Sequence, residues 1–119
     1  MEHELRALHP ALPHGAGLIM ISLAYFEAFA DVCGERFVDL ARALGKYDAN
    51  SPEDFLDALA ALQTACGVDK LRMSAYGITG EDFEKYADNA LATGKGLFRL
   101  DRKQLTRDDV IAIYAASYR

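Results

Sequence analysis

The sequence predicts an all-α protein, a helical bundle of about five helices around one central apolar helix. Apolar residues recur at helical spacing from His14 onward, and no segment alternates apolar and polar residues as a half-buried strand does. Helix start and stop signals mark the ends of these runs: capping residues precede the apolar runs, and glycines follow two of them. At 119 residues the chain is long enough to form one domain with its own core.

The central helix is predicted from Gly15 to Cys33 and is apolar on nearly every side. Helices of this kind are buried, so we expect this helix in the middle of the bundle, with His14 at its N-terminal end. Backbone N–H groups at a helix N-terminus carry partial positive charge, which favours a neutral imidazole. A neutral imidazole is the form that binds a metal or donates a single proton.

The next two helices have clear boundaries. One is predicted over Glu35 to Leu44, with Gly45 as its stop signal. The following helix starts with Ser51 as N-cap and Pro52 in the first turn, and it ends at Gly67. Its predicted core stripe comprises Phe55, Leu59, Leu62 and Cys66.

Two further helices are predicted after Thr79 and Thr106, where an Asp three residues on stands in for the Glu or Gln of a capping box. A short turn over Leu71 to Tyr76 is expected to lead into the first of them. The residues expected to face inward are Phe83, Tyr86, Ala87 and Ala90, then Val110, Ile113 and Tyr114.

The stretch from Thr93 to Leu105 is predicted to be a surface loop. It carries two glycines and the basic residues Lys95, Arg99, Arg102 and Lys103. We interpret these side chains as solvated, with anion binding as the alternative.

Composition excludes some functions. The net charge of -5 and the lack of a basic run with interleaved aromatics argue against a nucleic-acid partner. A membrane span is rejected because the apolar run from Gly15 to Val32 is short and contains Ser22 and Glu27. Cys33 and Cys66 are interpreted as free thiols of a protein of the reducing cytoplasm.

All three histidines, His3, His9 and His14, lie in the first fourteen residues. Pro10 and Pro13 interrupt any continuous helix there, so these histidines cannot form a ladder of ligands on one helix face. The spacing leaves two interpretations of His14, a metal ligand or a residue hydrogen-bonded to a neighbour. For His9 the expected state is a solvated loop side chain.

The sequence also resembles a known family, the iron-dependent (group III) alcohol dehydrogenases. The resemblance begins with Glu2-His3, His9-Pro10 and Leu12-Pro13-His14-Gly15 leading into an apolar helix. Later matching phrases are Glu35-Arg36-Phe37, Ala41-Arg42-Ala43-Leu44-Gly45, Tyr76-Gly77-Ile78-Thr79, Glu81-Asp82-Phe83, Ala87-Asp88-Asn89-Ala90 and Leu105-Thr106-Arg107-Asp108-Asp109-Val110.

This resemblance implies a dehydroquinate synthase-like C-terminal helical domain. In the family an N-terminal α/β domain binds NAD(P), and one Asp and three His hold Fe²⁺ in the cleft between the domains, with Zn²⁺ as a possible substitute. The metal acts as a Lewis acid on the alcohol oxygen, so that hydride can pass to NAD(P)⁺. The Pro-His-Gly histidine is a metal ligand and maps to His14. His3 maps to a catalytic cleft residue that orients substrate or relays a proton.

The chain departs from the family pattern because the histidine ligand that precedes His3 would fall upstream of Met1. We therefore expect residues 1–13 to be the tail of an upstream element with a linker, and 14–119 to be the C-terminal helical domain. The expected function is the metal-binding portion of an NAD(P)-linked alcohol dehydrogenase, inactive and without bound metal or cofactor as an isolated chain. No cofactor-binding residue is assigned.

The expected partner is an N-terminal nucleotide-binding domain or chain. The alternative is a stand-alone helical interaction module that self-associates or pairs with a separate N-terminal half, because a domain without its partner exposes the apolar surface the partner would cover. The alcohol substrate, the choice between NAD and NADP and the choice between iron and zinc stay open.

Overall fold

The computed structural model describes the backbone of residues 1–119 and every side chain except that of Lys95. Its regular elements are α-helices and two short 3₁₀ helices, and the described backbone contains no strand, which confirms the all-α prediction. The α-helices are α1 (Glu2–Leu8), α2 (His14–Glu27), α3 (Gly34–Ala43), α4 (Glu53–Ala65), α5 (Phe83–Thr93), α6 (Lys95–Phe98) and α7 (Arg107–Ser117). The 3₁₀ helices span Met73–Tyr76 and Gly80–Asp82.

Helices α1 and α2 form a tight helix–turn–helix at the start of the chain. The turn between them contains Pro10 and Pro13, which cannot continue a helix from α1, and Pro13 is the N-cap of α2. Leu5 of α1 and Leu12 of the turn are almost fully buried. Because α1 packs on both α2 and α5, these first residues are part of the core.

The aromatic residues build the core in two groups. The rings of Phe26, Phe37 and Phe55 join α2, α3 and α4, with centroids 4.9–5.9 Å apart. Tyr86 and Tyr114 join α5 and α7 with centroids 5.7 Å apart. Such edge and tilted ring pairs are favourable beyond the area they bury.

The central helix differs from the sequence prediction in length and in burial. It ends at Glu27 instead of Cys33, because the chain then tightens into i→i−3 hydrogen bonds such as Phe29 N–H to Phe26 O. Only Gly17 and Ile21 of the helix are buried, and Leu18 is 46% exposed. Helix α2 packs on α1, α4 and α7, while its remaining face forms the wall of an open cleft.

Two predicted helix starts are wrong in detail. The N-cap residue of α4 is Pro52 rather than Ser51, and no side chain caps the helix. The Asp54 carboxylate accepts the backbone N–H groups of Asn50 and Ser51 at 2.8 and 3.0 Å, which holds the turn before α4. Lys46 also donates to this carboxylate and holds the pKa of Asp54 well below its usual range. After Thr79 the chain forms a 3₁₀ turn, so α5 begins only at Phe83.

Two other expectations also need correction. In the predicted stripe of α4, Leu62 and Cys66 are exposed, and Phe55 is the buried member. The segment Thr93 to Leu105 is not wholly a loop, since α6 lies within it, and the side chain of Lys95 lies outside the described residues. Lys103 bonds the Ala28 carbonyl at 3.2 Å and the Asp31 carboxylate at 3.3 Å.

Other predictions are confirmed. Cys33 and Cys66 are free thiols. Among the described residues, no helix has the length and apolar character that crossing a bilayer requires. Thr106 caps α7 in a full capping box: its hydroxyl accepts the N–H of Asp109 at 3.2 Å, and the Asp109 carboxylate accepts the N–H of Thr106 at 2.8 Å.

This capping box predicts the effect of one substitution on stability. Thr106→Ala should lower the free energy of unfolding by about 1 kcal/mol, because it leaves an N-terminal N–H of α7 without its acceptor. Thr64→Ala is the matched control, since Thr64 is exposed within α4 and the change should be neutral or stabilising by about 0.5 kcal/mol. Urea unfolding at pH 7 measures both variants.

The stabilisation that the Thr106–Asp109 capping box provides should also depend on pH. Bonds from the Thr106 backbone and hydroxyl lower the pKa of Asp109 in the folded state. A lowered folded pKa stabilises the protein above the unfolded pKa, and the stabilisation is lost as pH falls through the folded value. The difference between Thr106→Ala and the wild type should therefore shrink in acid. If Thr64→Ala lowered the free energy of unfolding at pH 7 as much as Thr106→Ala does, the assignment of Thr106 as a stabilising N-cap would be wrong.

Candidate metal centre

Three polar side chains meet where the first two helices begin. Glu2 and His3 are the first residues of α1, and His14 is the first residue of α2. The turn that contains Pro10 and Pro13 folds α2 back onto α1, so residues twelve apart in sequence come into contact. The hairpin therefore creates a cluster that no single helix face could present.

The geometry of this cluster is compact. His14 Nδ1–H donates to Glu2 Oε2 at 2.5 Å, and His3 Nε2 lies 3.9 Å from the same oxygen. The imidazole rings of His3 and His14 are stacked, with centroids 5.5 Å apart. One potential ligand atom from each of the three residues lies within 4.8 Å of the others.

Glu2 is the buried member of the cluster. Its side chain is 3% exposed, whereas those of His14 and His3 are 47% and 75% exposed. Its second oxygen, Oε1, is buried and has no hydrogen-bond partner among the described residues. Leaving a buried carboxylate oxygen without a partner is energetically costly. Oε1 of Glu2 is therefore available to bind a positively charged group.

A glycine makes room for this carboxylate. Gly17 lies one turn beyond His14 on α2, and a Cβ at Gly17 would lie 2.8 Å from Glu2 Cγ and 3.0 Å from Oε1. Real Cβ atoms essentially never come closer than 3.0 Å to another heavy atom, so the contact with Cγ would force a shift. The absent side chain at Gly17 thus allows the Glu2 side chain to lie against α2 beneath His14.

The cluster opens into a cleft of about 900 Å³ between α1, α2, α5 and α6. Its lining is mainly apolar and includes Leu18, Ile21 and Phe98. Across the cleft the Tyr25 hydroxyl donates to Asp101 at 3.4 Å, and burial together with this carboxylate raises the pKa of Tyr25 to about 12. Burial in turn raises the pKa of Asp101.

The remaining histidine lies elsewhere. His9 is half-buried, and its Nε2 bonds the Tyr86 hydroxyl at 2.9 Å, so the expectation of a solvated side chain is wrong. Tyr86 belongs to the buried core, which gives His9 a packing role away from the cluster. Ser22 donates to the Ile19 carbonyl of its own helix at 2.8 Å, which is the ordinary behaviour of a helical serine.

The sequence model for the C-terminal domain of the Fe-containing alcohol dehydrogenase family matches residues 1–118. The chain belongs to this family. No curated protein and no solved structure matches it. The match covers both helices that carry the cluster, and it confirms the family and fold class that the sequence predicts.

The residues of the cluster fit the metal that this family implies. Two imidazoles and one carboxylate are a donor set suited to Fe²⁺, and zinc accepts the same set. A ligating histidine usually donates its other ring N–H to a carboxylate, as His14 can to Glu2. His14 and His3 thus lie together at the cleft, and their individual roles remain predictions.

Sequence reasoning missed Glu2 as part of this site. The separation of Glu2 from His14 follows no motif, because the contact depends on how the turn folds. One available signal was Gly17, a small residue on the same face as His14 in an otherwise apolar helix. A glycine within a helix often marks a close approach by another element.

The close contact at Gly17 predicts opposite effects for two glycine substitutions in α2. Gly17→Ala should lower the free energy of unfolding by about 1 kcal/mol, because the overpacking cost exceeds the gain in helix propensity. Gly15→Ala, whose Cβ would meet no atom within 4 Å, should be stabilising by about 0.5 kcal/mol. Chemical unfolding compares them, and equal stabilisation by both would contradict the placement of Glu2.

Proposed function

We propose that this chain is the metal-binding helical portion of an NAD(P)-linked alcohol dehydrogenase, which interconverts an alcohol with an aldehyde or ketone. The observation that supports this most directly is the position of His14. It is the Pro-His-Gly histidine of a chain that matches the family over residues 1–118, and it faces a large cleft. A solvent-open cleft with convergent polar groups is suited to a small substrate.

In this proposal each residue of the cluster has its own task. His14 is a ligand of Fe²⁺, with Zn²⁺ as the alternative, and Glu2 fixes the orientation of its ring through Nδ1–H. The bound metal supplies Lewis-acid polarisation of the alcohol oxygen. His3, exposed at the cleft, is the catalytic residue that orients substrate or relays a proton.

The nucleotide site is proposed to lie on an N-terminal nucleotide-binding domain or chain. Dinucleotides bind at glycine-rich turns of parallel sheets, and the regular elements described in this chain are helices. The isolated chain is therefore proposed to be inactive and to bind no NAD(P). Residues 1–13 are proposed to be the tail of an upstream element that packs through α1, Leu5 and Leu12 into the core of the C-terminal domain at 14–119.

Exposed apolar residues beside the cleft support a docking partner. Leu18, Leu97 and Leu100 are 46%, 71% and 83% exposed. A self-associating interaction module would also cover such residues. The nucleotide-binding domain is favoured because the histidine cluster opens into the cleft that Leu18 and Leu97 line. Two free thiols support the cytoplasm as the proposed location.

A reconstitution experiment tests this function. NAD(P)⁺ reduction with simple alcohols should be absent for the metal-loaded chain alone. It should appear when the chain is mixed with or fused to an N-terminal nucleotide-binding domain of the family. Within that assembly His14→Ala should lower kcat/KM by at least about 1000-fold and His3→Ala by about 100-fold.

His9→Ala is the matched control, since the half-buried His9 bonds the core residue Tyr86 and lies outside the cluster. It should keep kcat/KM within a few-fold of the wild-type value. A rate from the chain alone that depends on His14 would contradict the proposed inactivity. An assembly whose rate is unchanged by His14→Ala would contradict the proposed function itself.

A further inference from the structure

We propose that Glu2 is a direct metal ligand, and that Glu2, His3 and His14 together hold a divalent transition metal ion in this chain without its partner. The proposal rests on the proposed function in one respect, the assignment of His14 as a ligand. It goes further because the family pattern assigns its metal to histidines and an aspartate, and gives no part to a residue at Glu2.

The first argument is the orphaned oxygen of Glu2. A carboxylate whose only role is to orient His14 needs one oxygen, and Oε2 already accepts His14 Nδ1–H. Oε1 is buried without a partner among the described residues. Hard and borderline cations satisfy such an oxygen directly, and a carboxylate with two imidazoles completes a tridentate set.

The second argument is the charge of the cleft. Among the described residues that line it, Glu2, Glu4 and Asp101 are acidic, and none is Lys or Arg. The α-amino group of Met1 also lines the cleft and pairs with Glu4 at 3.0 Å, and the imidazoles of the cluster lie within 4 Å of Glu2. A cation entering this cleft therefore meets net negative charge in a partly buried setting, where electrostatic attraction is less screened than in water.

The third argument is that little movement is needed. A tetrahedral ion with bonds of about 2.1 Å separates its ligand atoms by about 3.4 Å. One potential ligand atom from each of Glu2, His3 and His14 already lies within 4.8 Å of the others, and the exposed His3 side chain can rotate to shorten these distances. Glu2 itself is fixed against Gly17, so the buried ligand is already in place.

The expectation that the chain alone binds no metal depended on His14 being its single ligand. With three ligands the chain should bind Zn²⁺ with a Kd at or below about 10 µM. His3 then has two positions, at the metal in the isolated chain and toward substrate in the assembled enzyme. The exposed His3 side chain can occupy both.

Zn²⁺ titration against a chromophoric chelator, with Co²⁺ absorption as a second readout, tests the proposal on the 119-residue chain. Glu2→Gln should raise the Kd at least about 100-fold and change the Co²⁺ spectrum. Glu4→Gln is the matched control: Glu4 is equally buried on α1, but it bonds Thr93 and lies outside the cluster. Its Kd should stay within about threefold of the wild-type value, and circular dichroism checks that each variant folds.

The outcomes separate this proposal from the proposed function. Loss of Zn²⁺ binding in His14→Ala and in Glu2→Gln, together with a changed Co²⁺ spectrum in Glu2→Gln, supports both. Loss only in His14→Ala, with the Co²⁺ spectrum unchanged in Glu2→Gln, overturns the ligand role of Glu2 and leaves the proposed function standing. A wild-type chain that binds no Zn²⁺ also overturns the present proposal, whereas the reconstitution experiment still decides the function.

Discussion

The contact between the buried Glu2 carboxylate and the His14 imidazole is the constraint on which the rest of the site depends. It joins the first residue of α1 to the first residue of α2, and it can form only because Gly17 leaves space for the Glu2 side chain. Burying a carboxylate is unfavourable unless it is paired. The hairpin, the small residue and the imidazole thus form one unit, which places His14 and His3 at the mouth of the cleft.

Helix α2 is apolar on nearly every side, but only part of it is buried. An all-round apolar helix predicts complete burial, yet one face of α2 lines an open cleft while others pack on α1, α4 and α7. The composition therefore reflects two uses, a core face and a cleft wall. A second domain that covers the cleft would complete the burial that the sequence predicts, which fits the family's C-terminal domain.

Fold class, family and the buried residues of α5 and α7 could be predicted from the sequence, because periodicity and capping are local signals. The end of α2 and the start of α4 could not. They depend on hydrogen bonds that the local sequence pattern does not specify: i→i−3 bonds follow Glu27, and the Asp54 carboxylate accepts the N–H groups of Asn50 and Ser51 ahead of α4. His3 and His14 were candidate site residues from the resemblance. Glu2 was missed because its partner is twelve residues away across a turn whose path no motif specifies.

The proposed site requires Glu2, His3 and His14 to converge on one cation. The most direct measurement is a crystal structure of the Zn²⁺-soaked chain, with anomalous scattering recorded at the zinc edge. We expect one strong peak within about 2.0–2.2 Å of a Glu2 oxygen and of a ring nitrogen from each histidine. A peak bound only elsewhere, or a Glu2 carboxylate that still bonds His14 alone at saturating zinc, would contradict it.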